Sequence, residues 1–261
     1  MSTARSSAAV SLAVWKALFL REMLGRLAAG RGAWLWILVE PTAQVLLLMG
    51  LFGFIYQRII SGVDGSMFIM TGVLAFALVQ GTATRSMEAV RANLALFAYR
   101  QVRPVDTVLV RAALEGFVMA TAGLVLMGAA SFFGLHGLPD DPLGAMVVVF
   151  LIWCLGLGLA LSLSVLSDLV PEVGKLAPLA FRPLYLASGV MFPAMAIPQP
   201  YREWLMANPI MHGMEALRGA FFSQYHAVPE TSLAYLGGFG ALTVFFGLAL
   251  HLRYARRLVS R

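Results

Sequence analysis

The chain reads as long apolar runs broken by short polar segments. Six runs supply roughly the 20 mainly apolar residues that a helix needs to cross about 30 Å of hydrocarbon. They are Trp34 to Tyr56, Met67 to Thr84, Leu114 to Phe133, Leu143 to Leu166, Leu176 to Met195 and Leu233 to Leu252. Strands of a membrane barrel would alternate polar and apolar positions over about ten residues, whereas these runs are continuously apolar. The pattern therefore predicts an all-α membrane protein with six transmembrane helices.

The segments between the runs carry their own patterns. In Val10 to Leu24, Trp15, Phe19 and Met23 recur at i, i+4 and i+8, but Leu18, Leu20 and Leu24 fall off that face. This weak amphipathicity fits an interface helix lying at the cytoplasmic surface, with Arg21, Arg26 and Arg31 toward anionic headgroups; an ordinary basic flank of the first span is the alternative. In the loop 85–111, Met87, Val90, Leu94 and Phe97 recur at helical spacing opposite Glu88, Arg91 and Asn93. The spacing predicts a short amphipathic helix that ends before Pro104, with Asp106 as N-cap of a helix starting at Thr107. Its apolar stripe either docks into a groove of a soluble partner or lies along the headgroups. The run Ser167 to Lys175 reads as a tight turn with two acids, Asp168 and Glu172, either solvated or a second contact for a cytoplasmic partner. Residues 196–232 are aromatic-rich and punctuated by Pro198, Pro200, Pro209 and Pro229, which predicts two short re-entrant helices.

Charge orients this scheme. Fifteen Lys and Arg fall before the first run, after the second, between the fourth and fifth, and in the tail; Arg58, Arg202 and Arg218 alone fall on the opposite side, and Arg182 lies within the fifth run. The positive-inside tendency puts both termini in the cytoplasm. The domain plan is a segment 1–33 with the interface helix, a six-span domain 34–252 and a basic tail 253–261. The first 33 residues are punctuated by Arg and lack a compact apolar core with a small-residue cleavage site, so no cleavable signal peptide is expected.

Composition sharpens the class. With 60% hydrophobic and 12% charged residues, the chain departs from soluble globular proteins, where about 25% of residues are charged. One core at this length cannot hide so much apolar surface, and disordered, collagenous and disulfide-framework classes are excluded as well. The single Cys154 precludes an intrachain disulfide. The net charge of +6 raises nucleic acid as a partner, but its concentration on one side of a membrane protein removes that candidate.

Catalytic patterns are sparse. His212-x-x-Glu215 has the spacing of half a helical metal site without a second half, which favours a polar contact within the outer helices. Asp140-Asp141 reads as a helix-capping pair, and Gly174-Lys175 lacks the upstream glycine of a phosphate-binding loop. The chain has no room for its own nucleotide-binding domain. Among span residues, Glu40, Glu115 and Arg182 need a reason to be charged, since an ion at mid-bilayer costs about 2.5–3.5 kcal/mol. Glu115 is expected to pair with Arg111 one turn earlier. Glu40, before Pro41, can reach toward the cytoplasmic interface, and Arg182 either snorkels inward or faces a hydrated path and an anionic substrate. Trp15, Trp34, Trp36, Tyr56, Phe192, Tyr201 and Trp204 cluster at span ends, as an aromatic belt or as sugar-stacking platforms along a conduit. A proton-coupled transporter would need a deeper acid than Glu40 or Glu115, and a membrane transferase a convergent set of acids that is not apparent.

Five strings carry more: Ala17-Leu18-Phe19-Leu20-Arg21-Glu22, Leu35-Trp36-Ile37-Leu38-Val39-Glu40-Pro41, Tyr99-Arg100-Gln101-Val102-Arg103-Pro104-Val105-Asp106-Thr107, Arg182-Pro183-Leu184-Tyr185 and Asn208-Pro209-Ile210-Met211-His212. In this order, over essentially the whole chain, they resemble the permease subunit of capsular polysaccharide ABC exporters, the KpsM-like branch of the type-2 ABC exporters. The resemblance implies a homodimer in the bacterial inner membrane that pairs with two separate ATPase subunits and exports a lipid-linked anionic polysaccharide. ATP and Mg would sit on the partner and no cofactor on this chain, while a periplasmic adaptor and an outer-membrane channel would complete the path. It further implies a coupling helix after the second span and re-entrant helices before the last. The residues expected along the substrate path are Arg21, Arg26, Arg31, Trp34, Trp36, Glu40, Arg182, Tyr185 and Trp204. Those expected to couple to the ATPase are Met87, Val90, Arg91, Leu94, Phe97, Arg100, Asp168 and Glu172. O-antigen or teichoic acid export is the sibling reading.

Overall fold

The computed structural model describes residues 7–28, 39, 42–51, 63–99 and 101–259, and everything below concerns these. They are helical, with no strand among the described residues. In chain order come α1 (Ser7–Ala28), α2 (Thr42–Leu51), α3 (Gly65–Met87), the single turn α4 (Ala89–Ala92), a 3-10 turn (Leu94–Ala98), α5 (Pro104–Phe132), α6 (Pro142–Leu169) and α7 (Pro171–Ala187). A second 3-10 turn (Ala194–Ala196), α8 (Tyr201–Met206), α9 (Pro209–Phe221) and α10 (Leu233–Val259) follow.

Four of these, α3, α5, α6 and α10, are long and apolar enough to cross a membrane. The first expected span, residues 34–56, lies mostly outside the described residues, with α2 as its described part. The fifth corrects the sequence expectation. Rather than Leu176 to Met195, the helix α7 runs Pro171–Ala187, 17 residues or about 26 Å. It starts earlier because Pro171 is pre-organised for a first turn. It stops earlier because Gly189 takes φ +68, a left-handed conformation that ends a helix although the residues beyond it stay apolar.

Helix α6 is central and packs on α3, α5, α7, α9 and α10. Its seam with α10 is tight. A Cβ at Gly158 would come within 2.6 Å of the Val244 amide nitrogen, and one at Gly247 within 2.5 Å of Leu161 Cβ. Against α5 the fixed contact is polar, with the Trp153 indole donating to the Ala112 carbonyl at 2.9 Å. Burial is uneven: 72% of the apolar stretch of α3 is inside the bundle but only 17% of that of α10, which turns Leu242, Phe245, Phe246 and Leu252 outward.

The ends of the bundle differ in chemistry. At one end lie Arg85, Arg91, Arg111, Arg253, Arg256 and Arg257 together with the basic face of α1. At the other, Asp141 caps α6 by accepting from the Gly144 amide at 2.9 Å, as its position before Pro142 suggests, and its own amide donates to the Ala220 carbonyl of α9. Next to it Asp140 accepts from the Ser223 amide at 2.7 Å, a bond that holds its carboxyl below the usual aspartate range.

Candidate functional site

At the Arg-rich end, α1, the elbow between α3 and α5, and the α6–α7 turn converge. The elbow is not one amphipathic helix from Met87 to Phe97, as the spacing predicts, but two turns broken at Glu88 and Asn93. Asn93 explains the second break. Its amide nitrogen donates back to the Ala89 carbonyl at 2.7 Å and across to Glu22 of α1 at 3.3 Å, while its amide oxygen accepts from Arg21.

The apolar stripe turns inward. Met87, Val90 and Phe97 are buried, Val90 and Phe97 among Val108, Ala112, Leu157, Leu161 and Leu258. These three are therefore turned away from the exposed face of the elbow. Exposed instead are Glu88, Leu94, Ala95 and Tyr99. Arg91 is half-buried and donates to the Ser167 carbonyl, which fastens the elbow to the last turn of α6. Asp168, expected in a solvated turn, is buried because α6 continues to Leu169, whereas Glu172 on the first turn of α7 is exposed. Arg100 lies outside the described residues.

Helix α1 is held by charge as well. Arg111 does not pair with Glu115; it reaches Glu22 of α1 at 2.9 Å. Glu115 is 1% exposed and is met by Arg26 of α1 and, at 3.6 Å, by Arg85. The tertiary partner wins over the neighbour one turn away because it approaches a carboxylate that burial has stripped of water. The Trp15 indole donates to Asp106 at 2.8 Å. Asp106 is not the N-cap of α5 but its third residue, accepting from the Arg103 amide behind Pro104. Burial pushes Glu22 up, but the Arg111 guanidinium and hydrogen bonds from Arg111 and Asn93 outweigh it, so its carboxyl lies below the ordinary 4.5. Arg21 and Arg26, expected to face headgroups, are thus engaged within the chain; Lys16, also on α1, is exposed.

Among the other expected path residues, Arg31, Trp34, Trp36 and Glu40 lie outside the described residues. Arg182 is exposed midway along α7, between Leu179 and Leu186 on the face opposite buried Ala177 and Phe181. Tyr185 packs edge-on against Phe76 of α3, ring centroids 5.0 Å apart. Trp204 stands 71% exposed against Tyr201 at the far end of the bundle. The structure therefore brings Arg21, Arg26 and Arg91 to one end with the elbow, and keeps Arg182 and Trp204 apart from them.

The stretch 196–232 holds two short helices, α8 and α9. Asn208 caps α9 through the Ile210 amide at 3.0 Å, and α9 inserts among α3, α6 and α10. His212 and Glu215 make the expected polar contacts. The His212 Nδ1 accepts from the Ser232 amide at 3.0 Å, and Nε2 lies 2.7 Å from the Met206 carbonyl oxygen. Sequence reasoning missed three residues: Glu22 and Asn93, which join α1 to the elbow, and Arg218, counted among outer cations but fully buried. The Glu215-x-x-Arg218 spacing on an otherwise apolar helix was the available signal for the last.

Known proteins resemble the chain along most of its length. The polysialic acid transport protein KpsM of Escherichia coli is 35% identical over 248 residues, covering 95% of this chain and 96% of that protein. The capsule polysaccharide export inner-membrane protein CtrC of Neisseria meningitidis is 24% identical over 92% of this chain and 90% of its own length. The corresponding BexB of Haemophilus influenzae is 25% identical over 85% and 83%. Residues 13–222 match the ABC-2 type transporter family, and with four membrane-length helices and a relative 35% identical along nearly its full length, the chain belongs to that family.

Proposed function

We propose that this chain is the permease subunit of an ATP-driven exporter that moves a lipid-linked, anionic capsular polysaccharide out of the cytoplasm across a bacterial inner membrane. The observation that carries this reading is the near full-length similarity to KpsM, a polysialic acid transport protein. Two copies would work with two ATPase subunits, which hold ATP and Mg; this chain binds no cofactor and is not itself an enzyme. Both termini lie in the cytoplasm, a sidedness supported by the Arg-rich end of the bundle. A periplasmic adaptor and an outer-membrane channel would receive the glycan.

In this reading the ATPase docks on the exposed edge of the elbow, with Leu94 at its centre and Glu172 beside it. Buried Met87, Val90 and Phe97 make the elbow stiff enough to transmit force, and Arg91 passes it to α6 and α7. Arg182 meets the polyanion along the path, because a cation exposed midway along an apolar helix is costly against lipid and favourable against a hydrated anion. Tyr185 and Trp204 lie along the same route. Deleting the chain should trap lipid-linked polysaccharide inside the cell; normal surface capsule would overturn the proposal, and trapped O-antigen or teichoic acid would reassign the substrate. Leu94→Asp should release the ATPase during purification, and undiminished recovery would refute the docking face.

A further inference from the structure

Glu215 and Arg218 lie one turn apart on α9, both with 0% side-chain exposure. Charges removed from water persist only where hydrogen bonds replace their hydration. Their mutual contact is loose, 3.9 Å between Nη1 and Oε1. The closer contacts go elsewhere, above all to the main chain that leaves α7. Arg218 Nη2 donates to the Val190 carbonyl at 2.8 Å and Nη1 to the Phe192 carbonyl at 3.3 Å. Glu215 accepts from the Ala194 amide at 3.0 Å and from the Tyr225 hydroxyl at 2.7 Å. The guanidinium also lies 3.6 Å from the ring centroid of Phe68 on α3. A third element completes the arrangement. A Cβ at Gly72 of α3 would lie 2.6 Å from the Val190 oxygen and 2.8 Å from Arg218 Nη2, so only glycine admits the carbonyl and guanidinium together.

We infer that Glu215 and Arg218 form a latch that positions the far end of α7 during transport. By clamping residues 190–194 to α9 and α3, the pair makes these parts move as one piece. Bending of α7 is then confined to its body, where Pro178 and Pro183 remove main-chain donors. Arg218 is a positioning residue: it acts through the segment that follows α7. The transport consequence rests on the proposed function, whereas the clamping does not.

The test uses the full chain with its ATPase in liposomes, lipid-linked polysialic acid as probe, and two variants. Glu215→Gln/Arg218→Met removes both charges together, leaving no orphaned ion in the interior. Gly72→Ala keeps both charges and pushes the latch apart sterically. Amide exchange of residues 190–194, ATP hydrolysis and glycan moved per ATP are measured. Both variants should exchange about tenfold faster in 190–194, hydrolyse ATP within about twofold of the parent, and move about tenfold less glycan per ATP. A merely structural defect would instead lower hydrolysis and export in the same proportion. Unchanged exchange, unchanged glycan per ATP, or such a parallel fall in both variants overturns the latch. A parent complex that hydrolyses ATP without moving glycan counts against the proposed function, and the exchange measurement still decides whether the clamp exists.

Discussion

Replacing Arg26 by Ala should loosen α1 by an amount the structure sets. Glu115 is 1% exposed and Arg26 meets it from α1, with 22% of the Arg26 side chain still reaching solvent. Truncating one partner of a fully buried pair costs about 3–5 kcal/mol, while a surface pair is worth at most about 1 kcal/mol. Two features place this site between those limits. Arg85 remains 3.6 Å from the carboxylate after the substitution, and Arg26 is partly hydrated before it. A cost of about 2 kcal/mol follows, which corresponds to roughly a 30-fold shift in the docking equilibrium of α1 at 1.36 kcal/mol per tenfold. Amide exchange of residues 9–26 in the purified membrane protein reads that equilibrium directly. Lys16→Ala is the reference, since an exposed side chain away from such contacts changes stability by no more than about 0.5 kcal/mol. If Arg26→Ala exchanges no faster than Lys16→Ala, the Arg26 to Glu115 contact does not hold α1 and the account of its docking fails.

Other consequences can be measured on the same protein. Gly158→Ala should lower the unfolding temperature, because main-chain overlap with Val244 costs about 1–3 kcal/mol against a helix-propensity gain of about 1 kcal/mol; Gly238→Ala, with nothing within 4 Å, should leave it unchanged or raise it. Docking of α1 should weaken in acid. The docked Glu22 has a depressed pKa, so its contribution is complete above the ordinary 4.5 and is lost as pH falls through the lower docked value; exchange of α1 followed from pH 6 to pH 3 should show this, and Glu22→Gln should abolish it. Val90→Asp should reduce the yield of folded protein in membranes, since it buries an unpaired charge beneath the elbow, whereas Leu94→Asp should leave that yield intact.

Helices α3, α5, α6 and α10 were legible because continuous apolar runs of spanning length admit few other structures in a membrane. Composition could not say where α7 stops: Val190, Met191 and Phe192 are as apolar as the helix before them, and the stop depends on the backbone conformation of Gly189. The elbow shows the complementary failure. Periodicity found Met87, Val90 and Phe97 correctly as one face, but a periodic stripe does not say whether it faces a partner or the chain's own core. For charged residues the local rule was outcompeted, as Glu115 took Arg26 and Arg85 over Arg111, and such long-range pairs leave no trace in spacing. Leu94 and Arg91 were legible as elbow residues, whereas the exposure of Leu94 and the reach of Arg91 to the Ser167 carbonyl left no trace in the spacing.

The packing beneath the elbow has a consequence for the order in which the protein is made. Leu258 sits among Val90, Phe97, Val108 and Leu161, yet it follows Phe97 by 161 positions. At about 5–20 residues per second, a ribosome reaches it roughly 8–30 s after the elbow has been synthesised. During that interval the inner face of the elbow lacks part of its support, and only insertion of α10 completes it. The surface proposed to receive the ATPase is therefore backed in part by a helix made well after the elbow itself.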